Sequence, residues 1–151
     1  MTTWTSKQAR SRPFIPLMRE LVRAYQDFER FAVEDLRERG LTSPQADVIF
    51  ALGNTDGMTC KELGERSLIT KGTLTGIIDR LEKKGLVLRT TSPSDRRSVI
   101  VELTPAGIEL FEQEFPAHIA VLEQRFGSLP EGRREDLREL LVELRGHLQG
   151  A

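Results

Sequence analysis

MTCKELGERSLITKGTLTGIIDRLEKKGLVLRTTSPSDRRSVIVELTPAG, residues Met58 to Gly107, is the stretch around which the chain is organised. Thr59 is followed three residues later by Glu62, a capping box in which each side chain satisfies an orphan amide at a helix start. The short helix opened there ends near Arg66. Ser67 to Ile69 then make a tight turn, and Thr70 can cap a second helix. In that helix Leu74, Ile77, Ile78 and Leu81 recur at i, i+3, i+4 and i+7, so one stripe is buried. The opposite face carries Lys71, Thr73, Thr75, Gly76, Asp79, Arg80 and Lys83. Gly85 ends the helix in the left-handed region. Two extended runs follow, Leu86 to Thr91 and Ser98 to Leu103, with Val99, Val101 and Leu103 alternating with polar residues. The loop between them, Ser92-Pro93-Ser94-Asp95-Arg96-Arg97, has turn chemistry at its base and two guanidinium groups at its tip. The order is helix, turn, helix, wing.

Charge is segregated along the chain. Residues 58–101 hold nine Lys/Arg and five Asp/Glu, a net of +4, while the remainder holds 13 basic and 18 acidic residues, a net of −5. The whole-chain charge of −1 hides that separation. Local charge makes the electrostatic footprint, and this one suits a polyanion.

LTSPQADVIFAL (41–52), KELGERSLITKGTLTGIIDRLEKKGLV (61–87) and SPSDRRSVIVELTPAG (92–107) together resemble the multiple antibiotic resistance regulator (MarR) family of winged helix-turn-helix transcription factors. The resemblance covers about residues 10 to 148. It implies a mainly α fold with a small β-hairpin wing, in which a winged helix-turn-helix module (41–103) is flanked by dimerisation helices (12–40 and 104–148). It also implies a triangular homodimer whose winged modules are the DNA-binding lobes.

Other features of the chain fit that outline. Its 151 residues suit one intertwined domain. No apolar run approaches the roughly 20 residues of a membrane span, and MTTWTSKQARSRPF lacks the apolar segment of a secretion signal. A single Cys can form no internal disulfide, which fits a reducing cytoplasm. Residues 1–11 read as a mobile arm. From Arg12 to Arg39, Leu17, Leu21, Tyr25, Phe28, Ala32 and Leu36 keep helical spacing up to Gly40. Such a helix, about 40 Å long, exceeds what a small domain covers by itself. Thr42-Ser43-Pro44-Gln45 opens a further helix with Val48, Ile49 and Leu52 inside. After the wing, Thr104-Pro105 opens a long helix with Ile108, Phe111, Phe115, Ile119, Leu122 and Phe126 expected inward; Pro116 should bend or break it. A last helix carries Leu137, Leu140, Leu141, Leu144 and Leu148. The apolar stripes of the terminal helices exceed what the central module can cover, and an isologous homodimer is the economical explanation.

A helix fits the major groove and reads bases from its N-terminal end. Lys71, Thr73, Thr75 and Gly76 are the residues assigned to bases or adjacent phosphates. Thr methyl and hydroxyl groups suit a thymine methyl or a base-edge acceptor. An ordinary solvated helix face would carry similar residues; the wing decides for double-stranded DNA. Arg96 and Arg97 are expected to enter or flank the minor groove, where narrow A·T tracts attract Arg. Thr59, Lys61, Thr70 and Arg89 are further candidates for phosphate contacts, and Lys83 and Lys84 add to the field. The resemblance implies that Asp95 pairs with a neighbouring Arg to hold the wing loop.

The resemblance further implies a DNA affinity, most often that of a repressor, set by a small effector or by cysteine oxidation. It places an effector pocket between the first two helices and the start of the fifth, with Tyr25, Phe28, Phe50 and Phe111 as aromatic candidates; plain core or dimer packing is the simpler account of each. Cys60 begins a helix, where the dipole can lower a thiol pKa. Oxidation-sensing members, however, carry their cysteine near the start of the first helix, and this chain has none there. His118 and His147 lack the partners of a metal site, and nothing implies a cofactor. Two other classes compete. A winged helix can bind protein, but would not need Arg96, Arg97 and Lys71 on a basic face. An enzyme would need a nucleophile with its base, a phosphate loop or a metal cluster, and the sequence offers none. The operator is expected to be pseudo-palindromic.

Overall fold

The computed structural model describes residues 4–67, 69 and 71–150, with the side chain of Lys71 outside the description. The chain divides into two compact units, residues 1–43 and 44–151.

The first unit holds α1 (Ser6–Arg10) and α2 (Ile15–Glu38). Part of the expected arm is therefore a one-turn helix. Its cause is local: the Thr5 amide donates to Gln8 Oε1 (2.9 Å) and the Gln8 amide donates to the Thr5 hydroxyl (3.3 Å), a capping box. Pro16 stands in the first turn of α2, where its missing N–H costs nothing. Gly40, at φ +75°, ends the helix, and the Leu41 amide donates back to the Leu36 carbonyl (2.9 Å). Leu17, Met18, Val22, Tyr25 and Phe28 are exposed along α2.

The second unit contains α3 (Ser43–Leu52, whose first residue lies at the division), β1 (Met58–Thr59), α4 (Cys60–Ser67), α5 (Lys71–Lys83), β2 (Val87–Thr91), β3 (Val99–Leu103), α6 (Pro105–Phe126) and α7 (Glu131–Leu148). The three strands form an antiparallel sheet in the order β1-β3-β2. Met58 pairs with Val101, Arg89 with Val101 on the other side, and Thr91 with Val99. The wing is thus a hairpin with a third, two-residue strand at its root, too short to show alternation in sequence. The α5 stripe Leu74, Ile77, Ile78 and Leu81 is buried, together with Val48, Ile49 and Leu52 of α3, Leu63 of α4, and Val87 and Val101 of the sheet.

At the end of α5 the Leu86 amide donates to the Leu81 carbonyl (3.0 Å) across Gly85, whose φ is +72°. The same corner receives α6. The Thr104 amide donates to the Leu86 carbonyl (3.1 Å), and the Thr104 hydroxyl donates to the Gly85 carbonyl (2.6 Å). The Thr104 hydroxyl also caps α6 by accepting the Gly107 amide (3.1 Å). A Cβ on Gly107 would lie 2.0 Å from the Leu86 carbonyl oxygen, so only glycine permits this approach.

The break expected at Pro116 and part of the inward face expected of α6 are corrected. The helix runs unbroken through Pro116; the ring removes one N–H donor, and the bonds on either side continue the helix. Its inward face is Gly107, Phe111 and His118, with Phe115 and Leu122 half-buried. Ile108, Ile119 and Phe126 are exposed instead, because the core lies along only one side of the helix. No residue of α7 is buried: Leu140 is 63% and Leu148 70% exposed. No helix among the described residues is long and apolar enough to cross a membrane.

Two stability measurements test these packing arguments. Gly107→Ala should lower stability by about 1–3 kcal/mol in denaturant titration, because a hydrogen-bonded backbone carbonyl cannot yield to the new methyl. The second concerns α4, where the Thr59 amide (2.8 Å) and hydroxyl (2.9 Å) both donate to Glu62 Oε2. These bonds, the amide first, hold the Glu62 carboxyl below its ordinary value of 4.5. A depressed folded-state pKa stabilises fully above the ordinary value, and the gain is lost as pH falls through the depressed one. The stability difference between wild type and Glu62→Gln should therefore be largest above about pH 5 and close on acidification.

Candidate nucleic-acid interface

The buried stripe of α5 faces the core, which turns Gly72, Thr73 and Thr75 outward, with Gly76 half-exposed beside them. A Cβ added at Gly72 or Gly76 would meet, beyond its own stretch of helix, no atom of the described residues within 4 Å. Neither glycine is therefore required by internal packing, although each lowers helix propensity by about 1 kcal/mol relative to Ala. Thr70 and the Lys71 side chain lie outside the described residues.

The wing loop is held by its own backbone. The Ser92 amide donates to the Ser98 carbonyl and the Ser98 amide to the Asp95 carbonyl, both at 2.9 Å. Asp95 Oδ1 accepts the amide of Arg97 (2.9 Å), an Asx turn. The expected guanidinium partner of Asp95 is thus replaced by a main-chain one, because a carboxylate two residues before an amide reaches it at no cost in long side-chain entropy. Arg96 and Arg97 are exposed and form no ion pair among the described residues.

Arg89 is placed differently from the phosphate contact expected of it. Its guanidinium donates to Asp79 Oδ1 (2.6 Å) and Glu82 Oε2 (2.5 Å), and its side chain is 26% exposed. Partial burial disfavours the charged form, but the hydrogen bonds and charges of Asp79 and Glu82 outweigh it and raise the pKa. Among the secondary candidates, the Thr59 hydroxyl is engaged by Glu62, whereas Lys61 and, at the end of α5, Lys83 and Lys84 are exposed. Asp79 and Glu82, i and i+3 on the helix, were not recognisable as the partners of a strand arginine.

Of the four aromatic residues expected around an effector, Phe50 and Phe111 meet edge to face with ring centroids 6.5 Å apart. Phe115 and His118, neither of them among those four, join the cluster: Phe115 is 5.1 Å from Phe50 and stacks at 5.2 Å on Phe111, and the buried His118 ring is 5.9 Å from Phe50. The spacing 111, 115, 118 on one helix face was the available signal. Tyr25 and Phe28 are exposed on α2, in the first unit. An open cavity of about 370 Å³ in the second unit touches Phe111 alone of the four, beside Leu52, Ile108 and the carboxylates of Asp56, Glu102 and Glu112. Cys60 is half-buried at the start of α4. No three His, Cys, Asp or Glu among the described residues converge as a metal site.

Residues 41–99 match the MarR family. The transcriptional repressor NicR of Pseudomonas putida is 33% identical over 121 residues, 80% of this chain and 77% of its own. Among solved structures, a mutant of MarR from E. coli complexed with operator DNA superposes with a TM-score of 0.76 at 29% identity, covering 89% of this chain and 99% of that one. BpsR of Bordetella bronchiseptica, whose DNA binding is regulated by 6-hydroxynicotinic acid, superposes with a TM-score of 0.77 at 28% identity, covering 89% and 96%.

The open space around Gly76 separates stability from recognition. Gly76→Ala should raise helix stability by about 1 kcal/mol in thermal unfolding, yet weaken binding to duplex DNA in an anisotropy titration.

Proposed function

The chain belongs to the MarR family of helix-turn-helix transcriptional regulators, and we propose that it works as a homodimeric repressor on a pseudo-palindromic operator, its affinity adjusted by a small-molecule effector. The observation that carries the DNA-contact assignment is the pair of exposed guanidinium groups of Arg96 and Arg97, without an ion pair among the described residues, on a backbone-braced wing beside the outward Thr73, Thr75 and Gly76 of α5. The helix N-terminal half enters the major groove, where Thr73 and Thr75 meet base edges and Lys71 a base or phosphate. The wing arginines reach the neighbouring minor groove.

Dimerisation is supported by what one chain leaves uncovered. Leu137, Leu140, Leu141, Val142 and Leu148 are exposed on α7, and Ile119 and Phe126 on α6. So many exposed large apolar residues on two helices favour an interaction surface, and a second copy would cover the same residues on both chains by symmetry. Two half-sites about 10 bp apart, or a multiple, follow from the two-fold axis. The repressor sign and the effector are drawn from the relatives: NicR is a repressor, and BpsR responds to a small organic acid. An effector alters DNA affinity only by binding the DNA-competent and incompetent forms with different strength.

Fluorescence anisotropy on a duplex selected from a randomised pool, between roughly 50 and 200 mM salt, tests this reading. Wild type should bind as two chains per duplex with a steep salt dependence. Arg97→Ala should weaken binding and make the slope of log K against log salt shallower by about 0.9 for each phosphate no longer neutralised. Binding that is indifferent to sequence and unchanged by the substitution would remove the wing from the interface.

A further inference from the structure

We propose that Arg89 does not bind DNA but is the positioning residue that sets the wing against the recognition helix, by clamping β2 to the Asp79 and Glu82 carboxylates of α5. The inference rests on the DNA-reading role of α5 and the wing. Alternation along β2 puts Arg89 on the same face as the buried Val87, the face that packs on α5. The guanidinium fork spans two carboxylates one helical turn apart, at 2.6 and 2.5 Å, so it fixes direction as well as distance.

The location gives the clamp its leverage. Strand β1 pairs with β3 only at Val101 and Ile100, so towards the tip the wing is a two-stranded ribbon. Its root is held by the core side chains Val87 and Val101 and by the Thr104 bonds to Gly85 and Leu86. Arg89, two residues along the strand from Val87, lies opposite Val101, where β1 holds the other side of β3, and ties the free edge of β2 to α5. Release of Arg89 removes the ion-paired tie between β2 and α5, so that the hairpin bearing Arg96 and Arg97 is no longer fixed in angle against the helix on that edge.

The clamp also explains an otherwise unfavourable choice of residues. Asp79 and Glu82 put negative charge in the C-terminal half of α5, at the negative end of its dipole, and on a helix that approaches a polyanion. Judged by charge alone, both weaken DNA binding. Judged by the clamp, both strengthen it. The two accounts predict opposite signs for the same substitutions.

The experiment uses the full chain and the duplex selected on wild type, with affinity, salt slope and the ratio of selected to random duplex measured for each variant. Asp79→Asn combined with Glu82→Gln should bind about tenfold more weakly and with a reduced ratio, although it removes two negative charges. Arg89→Met should match that loss with an unchanged salt slope, and combining all three substitutions should add little, as expected of groups acting as one unit. Arg89→Lys, which retains the charge without the fork, should recover part of the affinity. Unfolding midpoints measured alongside confine the comparison to folded protein. Two results overturn the proposal: an Asp79→Asn, Glu82→Gln variant that binds as tightly as wild type or tighter, or an Arg89→Met slope shallower by about 0.9 per phosphate, which marks a phosphate ligand. If wild type selects no duplex at all, the DNA-contact reading fails first and takes the clamp with it.

Discussion

The carbonyls of Gly85 and Leu86 are where the second unit is tied together. They close α5, precede β2, and accept the amide and hydroxyl of Thr104 between β3 and α6. Helix α5, both wing strands and the long helix α6 therefore share one short piece of backbone. Gly85 supplies the left-handed turn, and Gly107 supplies the absence of a Cβ that lets α6 approach closely. Each bond is worth only about 1 kcal/mol net, but together they leave little freedom in the angle between α5 and α6. Any change in the direction of α6 must be taken up at this corner or passed to α5.

Outside that corner the unit divides its work by chemistry. Apolar residues of α3, α4, α5 and the sheet make one core, while polar groups on the other side of α5 and at the wing tip remain outward. The two glycines of that outward face have open space on their Cβ side among the described residues. The wing tip shapes itself through Asp95 and the Arg97 amide, which leaves both guanidinium groups available. Acidic residues are concentrated in the rest of the chain, and the two on α5 are paired with Arg89. The local +4 charge is thereby presented without internal competition at Arg96 and Arg97.

What could be read from the residues follows the range of the interactions involved. The α5 stripe, the capping box at Thr59, the glycine stop at Gly85 and the Thr104 cap are interactions within one or two helical turns, and all appear where their spacing put them. Strand β1 has two residues and exists only because β3 offers it an edge, so it has no signature of its own. Phe111 and Phe115 lie inward on α6 as their spacing put them, and His118 joins them, yet Ile108 at 49% exposure and Ile119 at 43%, from the same expected stripe, lie outside the core. A helical wheel gives the direction of a stripe but not how much of its width a neighbour covers.

The sequence by itself determined the succession of helix, turn, helix and wing, the outward residues of α5, the guanidinium pair at the wing tip and the family, because periodicity, caps and turns act over a few residues. The tertiary structure decided which charges are available. Arg89 and Arg97 look alike as basic residues of one hairpin, but the first lies against two carboxylates ten and seven residues away in the chain and the second faces outward. That distinction depends on how β2 packs across α5, and pairwise electrostatics between elements has no period for a sequence to display.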